Sequence, residues 1–264
     1  MALSPLHAAT GSFPRALSPT LLWTGGCLDI SYRGKVVHSH LCTYLVLGSE
    51  KTLLVDTGNP SNWREVERDV EGFLGGRPLD YVFCTHVELP HAGLLAQWLD
   101  KYPGAVALGR LTDYELYYPA HADRMRNVEP GQSVDLGDRR IVFLPAIWRD
   151  LKETLWAFDT TERTLFVSDA FAYLHYHHEG QCDRLASEQP LPDVDMIQFF
   201  NERALFWTQH TDASRSFADI DEMLSMLQPR AIATAHGGVL DITEGMLPLV
   251  KSGMMTRIQG GTGL

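Results

Sequence analysis

Cysteine is scarce in this sequence, which has four cysteines in 264 residues. They are far apart, and none forms a Cys-x-x-Cys pair with another: Cys27, Cys42, Cys84 and Cys182. This spacing indicates neither a disulfide framework nor a thiolate zinc cage. We therefore expect four reduced thiols.

Long apolar runs and a secretion signal are also missing. No stretch approaches the roughly 18 consecutive apolar residues that a membrane helix needs. The N-terminal segment lacks a basic start followed by an apolar core. We therefore expect a soluble, cytoplasmic protein that has no membrane partner.

An excess of basic side chains is lacking as well. The chain has 33 acidic and 22 basic side chains, which gives a formal net charge of −11. Such a charge repels a polyphosphate backbone unless a basic patch is strongly localised, and no such patch occurs in the sequence. We therefore expect no nucleic-acid partner.

The chain does have enough apolar material for one substantial core. Its 264 residues are 45% hydrophobic, and this length lies near the upper end of what a single domain holds. We expect one domain over residues 1–264, in which residues 1–35 form an N-terminal extension and the first strands. No internal repeat or linker divides the body.

Short apolar runs alternate with amphipathic segments along the chain. The runs predict strands, bounded by turn residues, at residues 41–48, 51–58, 79–84, 105–109, 139–146, 154–159, 164–170 and 231–238. Helical spacing, with a Gly75-Gly76 stop after the first segment, predicts helices at residues 61–76, 93–104 and 214–229. Residues 111–126 are predicted to be helical or a long loop.

Candidate metal ligands follow the predicted strands. His86, Glu88 and His91 stand within six positions, just after one strand. Asp169 and His236 follow two later strands. Because α/β folds gather their sites at the carboxyl ends of strands, we expect these five side chains to converge.

Four segments match a known family in order: TYLVLGSEKTLLVDTG, THVELPHAG, LPAIWRDLKETLWAFDTTERTLFVSDAF and IATAHGG. Over roughly residues 40 to 240, the chain resembles the metallo-β-lactamase fold, specifically the diiron core of flavodiiron proteins. That family carries His-x-Glu-x-Asp-His where most hydrolases of the fold carry His-x-His-x-Asp-His, and Glu88 has the flavodiiron identity. The resemblance implies an α/β fold, a metallo-β-lactamase-like αββα sandwich of two mixed sheets flanked by helices.

The resemblance also implies a role for each ligand. His86 and Glu88 then bind one metal. His91 and His236 bind the other, and Asp169 bridges the two. Each metal keeps three protein ligands and an open position, and such sets suit Fe(II).

Two positions depart from the family pattern. Pro90 stands in place of the aspartate of the first motif, and Ile147 stands where the family has a histidine before Trp-Pro-Asp. The candidate substitutes closest in sequence to the bridging aspartate are three histidines, which are more often part of a solvated loop: His175, His177 and His178. His121 and Asp150 are further candidates, and water can also complete a metal site.

Other residues have supporting roles in this interpretation. Asp56 is structural, or it orients a ligating imidazole by accepting its other ring proton. Aromatic residues near the motifs are most simply core residues, and four of them are candidates to line a pocket: Trp148, Phe171, Tyr173 and Trp207.

Three functions are open at this point. The first is a non-haem iron oxidoreductase that binds or activates O2 or NO, with one or two iron ions, or manganese or zinc in their place; Glu88 favours it. The second is a metal-dependent hydrolase of an ester, lactone or thioester, the commonest chemistry of the fold by resemblance. The third is a pseudoenzyme or ligand-binding protein, which Pro90 and Ile147 favour.

The resemblance also bears on cofactors and partners. The sequence ends at Leu264 without the flavodoxin domain that carries FMN in flavodiiron proteins. We therefore expect no FMN in this chain, and electrons from an external donor or from a small-molecule substrate. This favours a substrate oxygenase or an O2-binding protein over a rapid reductase. Flavodiiron cores commonly dimerise, so a homodimer is implied.

Overall fold

Two β-sheets lie face to face, and helices cover the outer face of each. The computed structural model describes residues 12–241 and 243–255. The strands are β1 Arg15–Ser18, β2 Leu21–Tyr32, β3 Lys35–Leu47, β4 Thr52–Val55, β5 Tyr81–Phe83, β6 Val106–Gly109, β7 Met125–Asn127, β8 Ser133–Asp135, β9 Arg140–Pro145, β10 Leu155–Asp159, β11 Thr164–Phe166 and β12 Ala231–Ala233. The helices are α1 Trp63–Leu74, α2 Leu89–Ala92, α3 Leu95–Lys101, α4 Tyr114–Tyr117, α5 Val194–Ala204, α6 Ser214–Leu227 and α7 Thr243–Met255.

The first sheet has seven strands in the order β1-β2-β3-β4-β5-β6-β7. Neighbours from β1 to β4 are antiparallel, and neighbours from β4 to β7 are parallel. Parallel neighbours need a crossover connection, which α1 supplies between β4 and β5. The carboxyl ends of β4 and β5 therefore lie at the same edge of the sheet.

The second sheet has five strands in the order β12-β11-β10-β9-β8. Its neighbours from β8 to β11 are antiparallel, whereas β11 and β12 are parallel. The long connection between these two contains α5 and α6. The carboxyl ends of β11 and β12 are consequently side by side.

Aromatic and aliphatic side chains fill the space between the sheets. The ring centroids of Tyr44 and Phe166 are 5.5 Å apart, and those of Phe83 and Phe143 are 5.0 Å apart. All four side chains are buried, and each contributes roughly 1.5–3 kcal/mol by leaving water. This shared core fixes the two sheets against each other.

Two further apolar layers attach the helices to the sheets. The outer face of the first sheet packs on α1 and α3 through residues that include Leu54, Val66, Val82 and Trp98. The outer face of the second sheet packs on α5, α6 and α7 through residues that include Leu165, Ile197, Ile220, Ile232 and Val250. These contacts complete the four layers.

The first long helix shows how the sequence sets an element boundary. Val66, Val70 and Leu74 recur at helical spacing and are buried. Gly75 follows in the left-handed region with φ 59°, and its N–H donates to the carbonyl of Glu71. A residue without a Cβ adopts this conformation at little cost, so the helix ends there.

The structure confirms the αββα sandwich of two mixed sheets, together with the predicted strands and helices. Residues 111–126 contain α4, a 3-10 turn at Pro119–Arg124 and the start of β7. Helices α5 and α7 are not among the predicted helices. The buried face of α5 includes the polar side chains Gln198 and Asn201, which interrupt its apolar pattern.

Part of the expected N-terminal extension, residues 1–11, lies outside the described residues. Residues 15–32 of that region form β1 and β2. Within the described ranges, no helix has both the length and the apolar composition that crossing a membrane requires.

Candidate metal centre

Five loops bring polar side chains together at one edge of the sandwich. They follow β4, β5, β9, β11 and β12. Because β4 and β5 are parallel neighbours, and β11 and β12 likewise, four of these loops start at adjacent strand ends. The loop after β4 supplies Asp56, which contacts His91. The other four loops supply the group that we call the histidine-carboxylate centre; its members are His86, Glu88, His91, Asp150, Asp169 and His236.

Asp169 joins two of the imidazoles in this centre. Its Oδ1 lies 3.1 Å from Nε2 of His91 and 3.4 Å from Nε2 of His236. One carboxylate oxygen therefore faces two ring nitrogens. All three side chains are buried.

His86 lies between the other two carboxylates. Its Nε2 is 3.2 Å from Oδ2 of Asp150 and 4.0 Å from Oε2 of Glu88. Ligand atoms of His86, Glu88, Asp150 and Asp169 all lie within 4.8 Å of one another, as do those of His86, His91 and Asp169. The centre thus contains two overlapping groups that share His86 and Asp169.

Each imidazole is oriented by a bond at its other ring nitrogen. Nδ1 of His91 donates to Oδ2 of Asp56 at 2.8 Å, and Nδ1 of His236 donates to the carbonyl of His40 at 2.8 Å. Nδ1 of His86 pairs with Oγ of Ser168 at 2.8 Å. The carboxylate and the carbonyl only accept, so the proton of His91 and of His236 stays on Nδ1 and each Nε2 presents a lone pair to the centre.

Four atoms of the centre are buried and have no hydrogen-bond partner among the described residues: Nε2 of His86, Nε2 of His91, Oδ2 of Asp150 and Oδ1 of Asp169. With the proton on Nδ1, the lone pairs of Nε2 of His91 and Oδ1 of Asp169 face each other at 3.1 Å. That arrangement is repulsive unless a cation or a proton lies between them. The residues present therefore fit a bound metal ion.

The pKa shifts of His91 and Asp169 also indicate a position that favours a cation. Burial acts to lower the pKa of His91, but the carboxylates of Asp56 and Asp169 outweigh it and raise that pKa well above its ordinary value. Burial acts to raise the pKa of Asp169, but the imidazoles of His236 and His91 hold it well below its ordinary value. In the absence of a metal ion, a proton between His91 and Asp169 occupies the position that suits a cation.

Asp150 experiences the opposite effect. Burial, followed by the charge of Asp169, raises the pKa of its carboxyl group. Two carboxylates this close repel each other, and a divalent cation between them removes the repulsion. Thr154 donates to Oδ1 of Asp150 at 2.9 Å, which leaves Oδ2 directed at His86.

The loops that hold the centre contain unusual backbone conformations. Asp56, Ser168 and Phe171 are not glycines, yet their φ angles are 59°, 54° and 62°. Such conformations cost about 1–3 kcal/mol each and persist where the surroundings enforce them. Asp56 and Ser168 are the residues that contact His91 and His86, so the strain coincides with the orientation of the imidazoles.

The two departures from the family pattern are resolved differently. Pro90 lies in α2 and lines a cavity beside Glu88, where it offers no ligand atom. Ile147 packs against the apolar layer around Trp148. Three positions after Ile147, Asp150 matches the aspartate that ends this motif and places Oδ2 of its carboxylate 3.2 Å from Nε2 of His86.

His175, His177 and His178 lie away from the histidine-carboxylate centre. The prediction that one of them could replace the ligand missing at Ile147 is therefore wrong. Backbone bonds join His175 to β3: His38 N donates to His175 O at 2.7 Å, and His175 N donates to His38 O at 3.0 Å. This pairing carries His175 and His177 to a separate group with His40. The ring of His178 pairs with the exposed Tyr176.

His121 is also remote from the centre. Its Nε2 is 3.2 Å from Oδ1 of Asp100, and its Nδ1 accepts from Arg124 at 2.7 Å. These contacts fix it beside the 3-10 turn at Pro119–Arg124. Of the two further candidates, the structure brings only Asp150 to the centre.

A cavity of ≈ 310 Å³ opens onto the centre. Its walls include four residues from α5 and the following turn that the sequence analysis did not single out: Phe200, Arg203, Ala204 and Phe206. The ring of Phe200 lies over His236, with centroids 4.9 Å apart. Phe200 and Arg203 are three positions apart, and this spacing predicts that they lie on the same face of a helix. It is the only sequence feature we identify that could have indicated this cavity wall.

The four aromatic residues expected in a pocket divide into two groups. Trp148, Phe171 and Tyr173 are fully buried in the core and do not line this cavity. Trp207 lines a neighbouring cavity of ≈ 420 Å³ with Ile147 and Asp150. The simpler interpretation, that most of them are core residues, describes their positions.

Fold and site together define the class of the protein as a metallo-β-lactamase-like domain with histidines and carboxylates gathered at one sheet edge. The chain belongs to the ODP family: the family model described as "ODP family beta lactamase" matches residues 39–237. The match includes every member of the centre.

Curated relatives are oxidoreductases of greater length. The chain is 29% identical to the coenzyme F420H2 oxidase of Methanothermobacter thermautotrophicus over 233 residues, which are 83% of this chain and 56% of the relative. It is 27% identical to the anaerobic nitric oxide reductase flavorubredoxin of Aliivibrio salmonicida over 202 residues, which are 75% of this chain and 39% of the relative. The chain thus spans about half the length of these relatives.

Solved structures share the fold at low identity. The flavodiiron protein from Giardia intestinalis matches with a TM-score of 0.72 and 17% identity, over 92% of this chain and 59% of that chain. Rubredoxin oxygen:oxidoreductase from Desulfovibrio gigas matches with a TM-score of 0.69 and 16% identity, over 92% of this chain and 61% of that chain. The flavodiiron-like core expected from the sequence is thereby confirmed.

Proposed function

We propose that the protein is a non-haem iron oxidoreductase that binds or activates O2 or NO at the histidine-carboxylate centre. The observation that carries this proposal is the convergence of four buried atoms that have no hydrogen-bond partner among the described residues. Nε2 of His86 faces Oδ2 of Asp150 at 3.2 Å, and Nε2 of His91 faces Oδ1 of Asp169 at 3.1 Å. A buried polar atom without a partner costs about 1–3 kcal/mol, so such a group is retained where a ligand satisfies it.

The chemistry of the donor set supports iron. The centre offers imidazole nitrogens and carboxylate oxygens, and it contains no sulfur. Two imidazoles and one carboxylate with open positions suit non-haem Fe(II), and the additional carboxylates of Glu88 and Asp150 suit Fe(II) or manganese. His91, His236 and Asp169 would hold one ion, and His86, Glu88, Asp150 and Asp169 would hold a second.

The names of the relatives support a redox reaction. They include an F420H2 oxidase, a nitric oxide reductase and a rubredoxin oxygen:oxidoreductase. Since this chain spans about half of the curated relatives, their substrates and partners come to it as part of the proposal. Electrons would come from an external donor or from the substrate, as in a substrate oxygenase.

The protein's own residues prepare the centre for this chemistry. Asp56 keeps the proton of His91 on Nδ1, so Nε2 remains a donor of its lone pair. Phe200 covers His236 and limits the approach of water, and Arg203 adds a cation to the cavity wall. Bound iron would supply redox-active coordination positions for a small molecule at the floor of this cavity.

The test is to purify the full chain without oxygen, load it with Fe(II), and measure bound iron, absorption and O2 or NO uptake. We expect about one or two tightly bound irons and an absorption change on exposure to either gas. The uptake should be the same in Cys182→Ser, because that residue lies outside the centre.

Two other results would contradict the proposal, and each identifies another function. Cleavage of an ester or lactone by the zinc form, without gas uptake by the iron form, would show a hydrolase. If the wild type binds no metal even at excess, and His236→Ala does not differ from it, the protein is a pseudoenzyme or ligand-binding protein.

A further inference from the structure

A second group of possible metal ligands lies near His40 and apart from the histidine-carboxylate centre. We call it the cysteine-histidine cluster; it consists of Cys27 on β2 and of His177 and Cys182 on the segment after β11. We propose that these three side chains bind a zinc ion in a site separate from the histidine-carboxylate centre.

The distances suit tetrahedral zinc. Sγ of Cys27 lies 3.2 Å from Nε2 of His177, and the ligand atoms of all three residues lie within 4.8 Å of one another. Zn–S bonds of about 2.3 Å and Zn–N bonds of about 2.0 Å at tetrahedral angles place ligand atoms roughly 3.5–3.8 Å apart. The three side chains therefore reach this geometry with small rotations.

His177 is oriented as a ligand. Its Nδ1 donates to the carbonyl of His178 at 2.8 Å. A carbonyl accepts only, so the proton stays on Nδ1 and the lone pair of Nε2 is directed at Cys27. The same arrangement orients His236 in the first centre, where Nδ1 donates to the carbonyl of His40.

Two more imidazoles beside His177 give an independent indication of a cation. Nε2 of His40 and Nδ1 of His175 belong to side chains that are 1% and 3% exposed, and neither atom has a hydrogen-bond partner within the described ranges. One nitrogen from each of His40, His175 and His177 lies within 4.8 Å of the others. Two further buried imidazoles thus gather beside the histidine proposed as a ligand.

Neighbouring contacts hold the cluster in place. His38 stacks on His177 with ring centroids 3.9 Å apart, and its backbone pairs with that of His175. Zinc would therefore tie the segment after β11 to β2. A cavity of ≈ 470 Å³ lined by His175 and His177 gives access from solvent.

A disulfide between Cys27 and Cys182 is the competing state of the same residues. It would use both thiols but would leave Nε2 of His177 without its sulfur partner. Zinc uses all three side chains of the cluster. Thiolate sulfur with imidazole nitrogen is also a set that zinc prefers, in contrast to the oxygen-rich first centre.

Cobalt substitution tests this site, because a thiolate ligand gives Co(II) a sulfur-to-metal charge-transfer band that imidazole and carboxylate ligands do not give. The full chain is stripped of metal under reducing conditions, titrated with Co(II), and then titrated with zinc. We expect the band to saturate when about one Co(II) per chain occupies this site and to disappear as zinc displaces cobalt.

Variants assign the band to residues. Cys182→Ser and Cys27→Ser should each lower its intensity by half or more, because each removes one of two thiolates. Asp169→Ala should leave the band unchanged while metal is lost from the first centre. Cys42→Ser is the matched control: its thiol lies outside the cluster and donates to the carbonyl of Gly237, a bond that serine can keep.

The proposal would be overturned by three results. These are a reduced wild-type chain that gives no band, a band that keeps its wild-type intensity in both Cys27→Ser and Cys182→Ser, or a band abolished by Cys42→Ser. Circular dichroism of each variant separates the loss of a ligand from the loss of the fold, and since Cys27 and Cys182 lie on different segments, one folded variant suffices for a decision.

Discussion

The histidine-carboxylate centre and the cysteine-histidine cluster differ in ligand chemistry and in how the chain assembles them. The first combines imidazoles with carboxylates, and three of its members lie within six positions of one loop. The second combines imidazole with thiols, and Cys27 and His177 are 150 positions apart. Both use a backbone carbonyl to fix a histidine proton. The same orienting contact would therefore serve both of the metal sites that we propose.

The largest expected effect comes from Asp169→Ala, which removes the carboxylate that faces both His91 and His236. We expect iron affinity at the first centre to fall by more than about 100-fold, beyond the ~10–100-fold typical of outer-shell contacts. The cobalt-thiolate band of the second cluster should persist. Iron content after gel filtration measures the loss, and the exposed Asp123→Ala is the control. Equal iron content in wild type and Asp169→Ala would remove the distinction between the two regions.

Asp150→Ala tests whether this carboxylate has taken over the role of the imidazole that is absent at Ile147. We expect a loss of iron affinity of about 100-fold at the position of His86 and Glu88, because a buried anionic donor is removed. Adding Ile147→His should restore part of the binding. The measurement is a Fe(II) competition titration without oxygen. Unaltered affinity in the single variant would show that Asp150 is not a ligand.

Asp56→Asn should have a smaller effect, about 10-fold in metal affinity, because it changes only the group that orients His91. Its carboxylate accepts from Nδ1 of His91 and from the backbone N–H of Thr85. The amide keeps the shape but loses the charge. Calorimetric titration of the variant checks the value, and a loss as large as that of Asp169→Ala would place Asp56 among the ligands.

Glu188→Gln should have the smallest effect, on stability and on the second cluster. Arg15 is buried, contacts both oxygens of Glu188, and donates to the carbonyl of Asp183 at 2.7 Å beside Cys182. Burial acts to raise the pKa of Glu188, but the guanidinium of Arg15 outweighs it and lowers that pKa. At neutral pH we expect the variant to lose about 1–2 kcal/mol of unfolding free energy.

The pH dependence has a definite sign. Because the pKa of Glu188 is lower in the folded state, its contribution is complete above the ordinary value near 4.5 and is lost as pH falls through the folded value. Wild type and Glu188→Gln should therefore converge in acid. Urea unfolding at a series of pH values measures this, and a constant difference down to pH 2 would contradict it.

Local patterns made the first centre predictable and left the second hidden. His86, Glu88 and His91 share one loop, and Asp169 and His236 follow strands. The rule that sites gather at the carboxyl ends of strands therefore predicts that all five converge. That they bind metal stays a prediction. Asp150 could not be chosen over the histidines that follow Asp169, because the choice depends on the backbone pairing of His38 with His175.

The spacing of the cysteines likewise could not reveal a contact that depends on tertiary packing. Cys-x-x-Cys rules detect ligands that are close in sequence, whereas Cys27 and Cys182 meet through the packing of the segment after β11 on β2 and β3. The cavity wall was missed for a related reason. The polar Gln198 and Asn201 on the buried face of α5 obscured the helix that carries Phe200 and Arg203.

The most direct test of the central claim is the X-ray absorption spectrum at the iron edge of the full chain, loaded with Fe(II) without oxygen. A first shell of nitrogen and oxygen alone, lost in Asp169→Ala and retained in Cys182→Ser, is the predicted result. Sulfur in the first shell, or a spectrum that Asp169→Ala does not change, would contradict the assignment of iron to the histidine-carboxylate centre.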